Sequence, residues 1–154
     1  EAGLLAVFNA SDADAVLVSI SPSDIGGLVG DAFAVCEFFS GDVFVMDRNE
    51  EKPILLNCLE CDYFNVVTVK NGIALIGLVN KYNAPKSILN SKITNNNIEI
   101  QLIENGLFKA LLPSKPITIK INNSIVNDYC FEKNILTIKI NSGNDDENTL
   151  LINY

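Results

Sequence analysis

The chain has 154 residues, the length of one domain that buries roughly 70% of the surface its unfolded form exposes. Hydrophobic residues make up 48% and charged residues 19%, the net charge is −8 and the mean hydropathy is +0.24. Arg48 is the only arginine and the lysines are scattered singly, which excludes nucleic acid and an anionic membrane surface as partners.

The chain opens on Glu1 and enters strand-like sequence almost at once, so it reads as an excised piece of a longer polypeptide. Gly3-Leu4-Leu5-Ala6-Val7-Phe8 has no basic lead and is too short for a secretory signal. It reads as a strand. Ser21-Pro22-Ser23-Asp24-Ile25 offers a capping residue and a proline suited to a first helical turn, and Gly26-Gly27 stops it, leaving one short helical turn near residues 22–26. Phe33 to Phe39, Val43 to Met46, Ile54 to Cys58 and Phe64 to Val69 are β-rich runs.

Asn71-Gly72 then predicts a hairpin, since both residues tolerate the positive φ of a type I′ turn. Ile73 to Val79 is apolar throughout, as in a strand covered on both faces, and Gly77 and Leu78 are expected to serve close packing. Lys81-Tyr82-Asn83 marks the exit from that strand, and Asn105-Gly106 predicts a second hairpin. Ile98 to Leu102, Ile117 to Ile121 and Leu136 to Ile140 alternate with period two, as half-buried strands do. Ser40-Gly41, Asn122-Asn123 and Lys133-Asn134 are further turns, and Thr149 to Tyr154 is the last strand. Many short strands without a helix-period segment imply an all-β fold, an antiparallel β-sandwich or barrel.

Few residues offer chemistry. Zero histidine removes the usual general base, the Ser-His and Cys-His nucleophile pairs and most catalytic zinc sites. Cys58-Leu59-Glu60-Cys61 has the C-x-x-C spacing, but in an extended stretch the two sulfurs face opposite ways, and no second pair completes a zinc site. With Cys36 and Cys130 they read as buried, reduced cysteines of a cytoplasmic protein. The acidic loop 141–148 lacks the EF-hand spacing for calcium and reads as a solvated hairpin loop. Glycosidases need two carboxylates across one sugar. Asp12, Asp14, Asp24, Asp31, Glu37, Asp42, Asp47, Glu60 and Asp62 are available, yet nothing in the sequence pairs two across a pocket. Trp is absent, so Tyr63, Tyr82 and Tyr129 are the tyrosines left to stack on a sugar, although a ring that is buried with a wet hydroxyl is the commoner arrangement.

Three stretches in order resemble the C-terminal region of plant raffinose synthases and their archaeal α-galactosidase relatives, glycoside hydrolase family 36. They are Gly3 to Asn9 with Ser21 to Ile25; Gly30 to Val35 through Ser40-Gly41 to Leu59-Glu60-Cys61-Asp62-Tyr63-Phe64; and Ile76-Gly77-Leu78-Val79-Asn80. Ser114-Lys115-Pro116 falls where that family has a similar run. The resemblance implies an antiparallel β-sandwich over 1–154 that follows a catalytic barrel, in a parent enzyme that processes α-linked galactose with retention. The family's nucleophile sits in a Lys-x-Asp phrase, and no lysine here is followed two residues later by Asp; Lys81-Tyr82-Asn83 is the nearest look-alike. No catalytic, cofactor or metal residue is therefore carried over. Plant members have a Trp and a Gly-rich phrase where this chain reads Phe8 to Asp14, which favours simple hydrolysis by the parent over galactosyl transfer. The expected partner is that barrel, with Lys81, Tyr82 and Asn83 as docking or rim contacts. An α-galactoside ligand and an oligomer contact are the further expectations; the alternatives are a carbohydrate-binding β-sandwich module and a self-standing structural or interaction domain.

Overall fold

The computed structural model describes residues 1–141 and 147–154; part of the acidic loop weighed for calcium, 142–146, lies outside the described residues. The chain forms two compact units, Glu1–Lys70 and Asn71–Tyr154. Both are built of antiparallel strands, and the only helical elements described are two 3-10 turns.

The first unit contains β1 (Ala2–Phe8), β2 (Val16–Ile20), β3 (Ala32–Glu37), β4 (Val43–Asp47), β5 (Lys52–Leu56) and β6 (Cys61–Thr68). A sheet of order β1-β6-β3-β4 stands with a β2-β5 ribbon. Alternation sends Phe33 and Val35 of β3 and Phe64 and Val66 of β6 to one face, where they pack with Ile20, Leu28 and Met46. The turn foreseen near Ser21 is a 3-10 helix over Pro22–Asp24 with a complete capping box. Ser21 Oγ accepts from the Ser23 amide and Asp24 Oδ2 accepts from the Ser21 amide at 2.8 Å.

The second unit contains β7 (Ala74–Leu78), β8 (Ile88–Ile93), β9 (Asn97–Leu102), β10 (Gly106–Leu111), β11 (Thr118–Ile121), β12 (Ser124–Ile125), β13 (Cys130–Glu132), β14 (Ile135–Ile140) and β15 (Asn148–Asn153). Sheets of order β13-β14-β10-β7 and β12-β11-β15-β9-β8 enclose its core as a β-sandwich. The period-two runs bury one face as expected at Ile98, Ile100, Leu102, Ile119, Ile121, Leu136, Ile138 and Ile140, but Ile117 precedes β11 and is 81% exposed. The buried residues pack with Leu78, Phe108, Leu150 and Ile152.

One expectation about hairpins is met only locally and one is corrected. Asn71 and Gly72 take the positive φ of the expected turn (52° and 76°) between the single bridge residues Lys70 and Ile73, but β6 pairs with β1 and β3 while β7 pairs with β10. Around Asn105-Gly106, β9 and β10 belong to different sheets, and neither residue takes a positive φ. Gly106 is required for another reason: a Cβ there would sit 2.4 Å from Asn80 Oδ1, which accepts the Leu107 amide at 3.0 Å. The tight two-residue hairpins fall instead at Asn122-Asn123, joining Ile121 to Ser124, and at Lys133-Asn134, joining Glu132 to Ile135. All four of those residues have positive φ.

The cysteines are corrected as well. Cys36 is buried, but Cys58, Cys61 and Cys130 are exposed, and none of the four forms a disulfide. The Cys58–Cys61 stretch is a turn, because the Glu60 carboxylate accepts from the Asn57 amide at 2.7 Å and from its side chain at 3.0 Å while Leu59 takes φ 56°. Among the described residues no helix is long and apolar enough to cross a membrane.

Candidate functional site

Lys81, Tyr82 and Asn83 follow β7, whose pairing with β10 continues past Gly77 through Leu78. Gly77 takes φ 97° beside a bulge, since Lys109 pairs with Gly77 but Ala110 pairs with Leu75. The buried Ser87 hydroxyl braces the exit, accepting the Leu78 amide at 2.8 Å and donating to the Ala84 carbonyl at 2.6 Å. Lys81 forms a 2.7 Å ion pair with Glu104, Tyr82 is exposed, and Asn83 precedes a 3-10 turn over Ala84–Ser87 without capping it through its side chain. The three residues share one surface loop of the second unit. Their roles in docking stay expectations of the sequence.

The first unit brings together two carboxyls that the sequence left apart. Glu37 lies opposite Phe64 across the β3–β6 ladder, and Asp62 is two residues from Phe64 on the same strand. Glu37 and Asp62 are thus diagonal neighbours on the face that carries Phe33, Val35, Phe64 and Val66. They sit at the mouth of that core, half-buried and near enough for each charge to act on the other. Burial raises the Glu37 pKa, and the Asp62 charge raises it further. Burial also raises Asp62, although the Tyr63 amide, donating to Asp62 Oδ1 at 2.7 Å, opposes this.

A carboxyl whose pKa is higher in the folded chain binds its proton more tightly when folded. The resulting stabilisation is complete below the ordinary carboxylate range and is lost as pH rises through the raised values. Glu37→Gln, which keeps a donor toward Asp62 without the charge, is therefore expected to exceed the native chain in stability at neutral pH, with the gap closing toward about pH 4. Both groups are partly exposed, so the neutral-pH gap should be about 1 kcal/mol or less. Urea midpoints measured across that range check it; a gap independent of pH would show that the pair titrates normally.

Glu37 and Asp62 line a hollow of about 450 Å³ with Phe39, Leu55, Leu56, Glu60 and Cys61. Phe38 stands edge-on to both Phe39 and Tyr63, with ring centroids 5.3 and 6.2 Å apart. A second hollow of about 500 Å³, in the other unit, is lined by Ile121, Asn122, Ser124, Val126, Asp128, Lys139 and Asn141. Among the described residues no cluster of three potential metal ligands occurs.

Retaining glycosidases hold their carboxyls about 5 Å apart with the sugar between them, and inverting ones hold them wider. Glu37 and Asp62 are diagonal neighbours on one sheet face at the edge of the same hollow. The one cue in the sequence was that Glu37 and Asp62 each precede an aromatic residue next to a β-rich run; their meeting depends on the β3–β6 register, which no local pattern specifies.

Fold and hollows together define an antiparallel β-sandwich protein with open surface grooves. The family model described as raffinose synthase or seed imbibition protein Sip1 matches residues 4–141, nearly the whole chain. The chain belongs to that family and is a glycoside-hydrolase-related protein. No curated protein matches it significantly.

Proposed function

We propose that residues 1–154 act as the non-catalytic C-terminal domain of an α-galactosidase-like or raffinose-synthase-like glycoside hydrolase. The domain packs against a catalytic barrel elsewhere in the parent polypeptide and stabilises it. The observation that carries this reading is a family match running through strands from end to end. Lys81, Tyr82 and Asn83 are rim contacts in this reading, and the parent is a retaining α-galactosidase. Four cysteines without a disulfide accord with a reducing, cytoplasmic setting.

Purified chain should release no nitrophenol from p-nitrophenyl α-galactoside. Turnover that survives repurification and is lost in Glu37→Gln would overturn the non-catalytic reading.

The second hollow favours one alternative, direct binding of an α-galactoside. Asn122, Asp128, Lys139 and Asn141 offer amide, carboxylate and ammonium groups of the kind that hold sugar hydroxyls. Calorimetric titration with raffinose separates the two, since a packing domain gives no heat of binding.

A further inference from the structure

The first unit is unlike the second in charge. Glu1–Lys70 contains twelve Asp and Glu against three Lys and Arg, a formal charge of −9, whereas Asn71–Tyr154 contains seven against eight. Two of the three cations of the first unit have other engagements: Arg48 donates to the Leu28 carbonyl at 2.8 Å, and Lys52 lies 4.5 Å from the Phe44 ring centroid. Glu37 and Asp62 have no cationic partner among the described residues.

Large apolar side chains are also left in water around this pair. Phe39 and Leu55 line the hollow and are 60% and 64% exposed. Leu17, 69% exposed, is the direct cross-strand partner of Leu55. Leu59, on the turn before Cys61, is 71% exposed. Scattered single exposures need no explanation, but Phe39, Leu55 and Leu17 gathered at one concavity mark an interaction surface.

Apolar surface with an uncompensated like-charge pair at its centre specifies the chemistry of what covers it. A purely apolar partner would bury two carboxylates unpaired, at high cost. An acidic partner would add repulsion. A guanidinium or ammonium between apolar side chains satisfies both features, and Arg suits two adjacent carboxyls because its donors form a planar fork. We infer that the hollow beside Glu37 and Asp62 is where the first unit receives a partner segment carrying an arginine or lysine flanked by apolar residues. This rests on the reading that the chain packs against another part of its parent enzyme, and it assigns that packing a place and a partner chemistry.

The test uses the full 154-residue chain, labelled with nitrogen-15, and an acetylated, amidated peptide alternating leucine and arginine. The peptide should shift the amides of Glu37 to Phe39, Leu55 and Glu60 to Asp62, and added salt should weaken binding. The E37Q/D62N variant should bind about tenfold more weakly. F39S/L55S, altered only at exposed positions, should also bind more weakly while keeping the native spectrum elsewhere. Equal binding of a leucine–glutamate peptide, shifts confined to other residues, or no binding would overturn the inference. So would shifts of these same amides on self-dilution, which would make the partner a second copy, or on adding raffinose, which would make it a sugar. Any of these leaves the docking reading to be decided separately, by whether the chain associates with the upstream part of its parent.

Discussion

Gly77→Ala is expected to unfold the second unit or bring it close to unfolding. A Cβ at residue 77 would lie 2.1 Å from the Ala84 carbonyl oxygen and 2.7 Å from its carbon, and both belong to backbone. Backbone cannot move aside as a flexible side-chain end does, and the Ala84 carbonyl is fixed by the Ser87 hydroxyl. The φ of 97° adds a conformational penalty that only glycine avoids. Overpacking at about 1–3 kcal/mol and the positive φ at about 1–2 give a loss of roughly 2–5 kcal/mol. Against a total of about 5–15 kcal/mol for an ordinary domain, that is a large share. Ser87→Ala, which orphans the buried Leu78 amide in the same knot, should cost about 1–3 kcal/mol. Gly26→Ala is the control, because a Cβ there meets nothing within 4 Å. Urea unfolding of the three variants orders them; a Gly77→Ala midpoint equal to that of Gly26→Ala would mean the close approach is not made in solution.

Such a position shows how far the sequence could be read. The apolar run from Ile73 to Val79 and the polar exit at Lys81 were visible, and close packing at Gly77 could be expected from a glycine inside an apolar strand. The alternating strands were legible for a similar reason. Ile98 to Leu102 and Leu136 to Ile140 each bury one face, so the two-residue period is written directly into the sequence. The capping box at Ser21 and Asp24 closes within four residues and was equally local.

What the sequence did not disclose is which strand pairs with which. Asn71-Gly72 codes for a tight turn and nothing more, and β6 and β7 go on from it into different ladders. At Asn105-Gly106 even the turn reading failed, because that glycine makes room for the Asn80 side chain from another part of the chain. The turn at Cys58 to Cys61 carries neither Gly nor Pro and depends on the Glu60 side chain folding back on Asn57. The Glu37–Asp62 pair comes from long-range register alone. Its two carboxyls were on view as residues, and their meeting was not.

The second large effect is expected at Asn9, in the stretch where this chain departs from the plant members it resembles. Asn9 is buried, and its side-chain amide donates to the carbonyls of Asp14 and Asn57, both at 2.8 Å. Its Oδ1 accepts from the Ser11 amide at 2.9 Å, and its own amide donates to the Glu60 carbonyl at 2.8 Å. One side chain thus ties the end of β1, the loop to Asp14 and the β5–β6 turn. Asn9→Ala takes the partner from two carbonyls and one amide, and because Asp14 and Asn57 are exposed residues that water can reach, the loss should be about 1–3 kcal/mol. Asn9→Asp keeps the shape and the acceptor but has no donor, and it sets a carboxylate against carbonyl oxygens, so it should be at least as damaging. If packing alone mattered, the Asp variant would match the native chain; that result would overturn the hydrogen-bond account. Amide exchange locates the effect: Ser11 and Leu59, whose amides bond to Asn9 Oδ1 and to the Ser11 carbonyl, should lose protection before the β3 amides do. Because Phe8, Leu59 and Glu60 flank Asn9, loosening this knot should also blur the acidic hollow. Asn9→Ala is therefore expected to weaken the leucine–arginine peptide together with stability, whereas E37Q/D62N weakens the peptide alone.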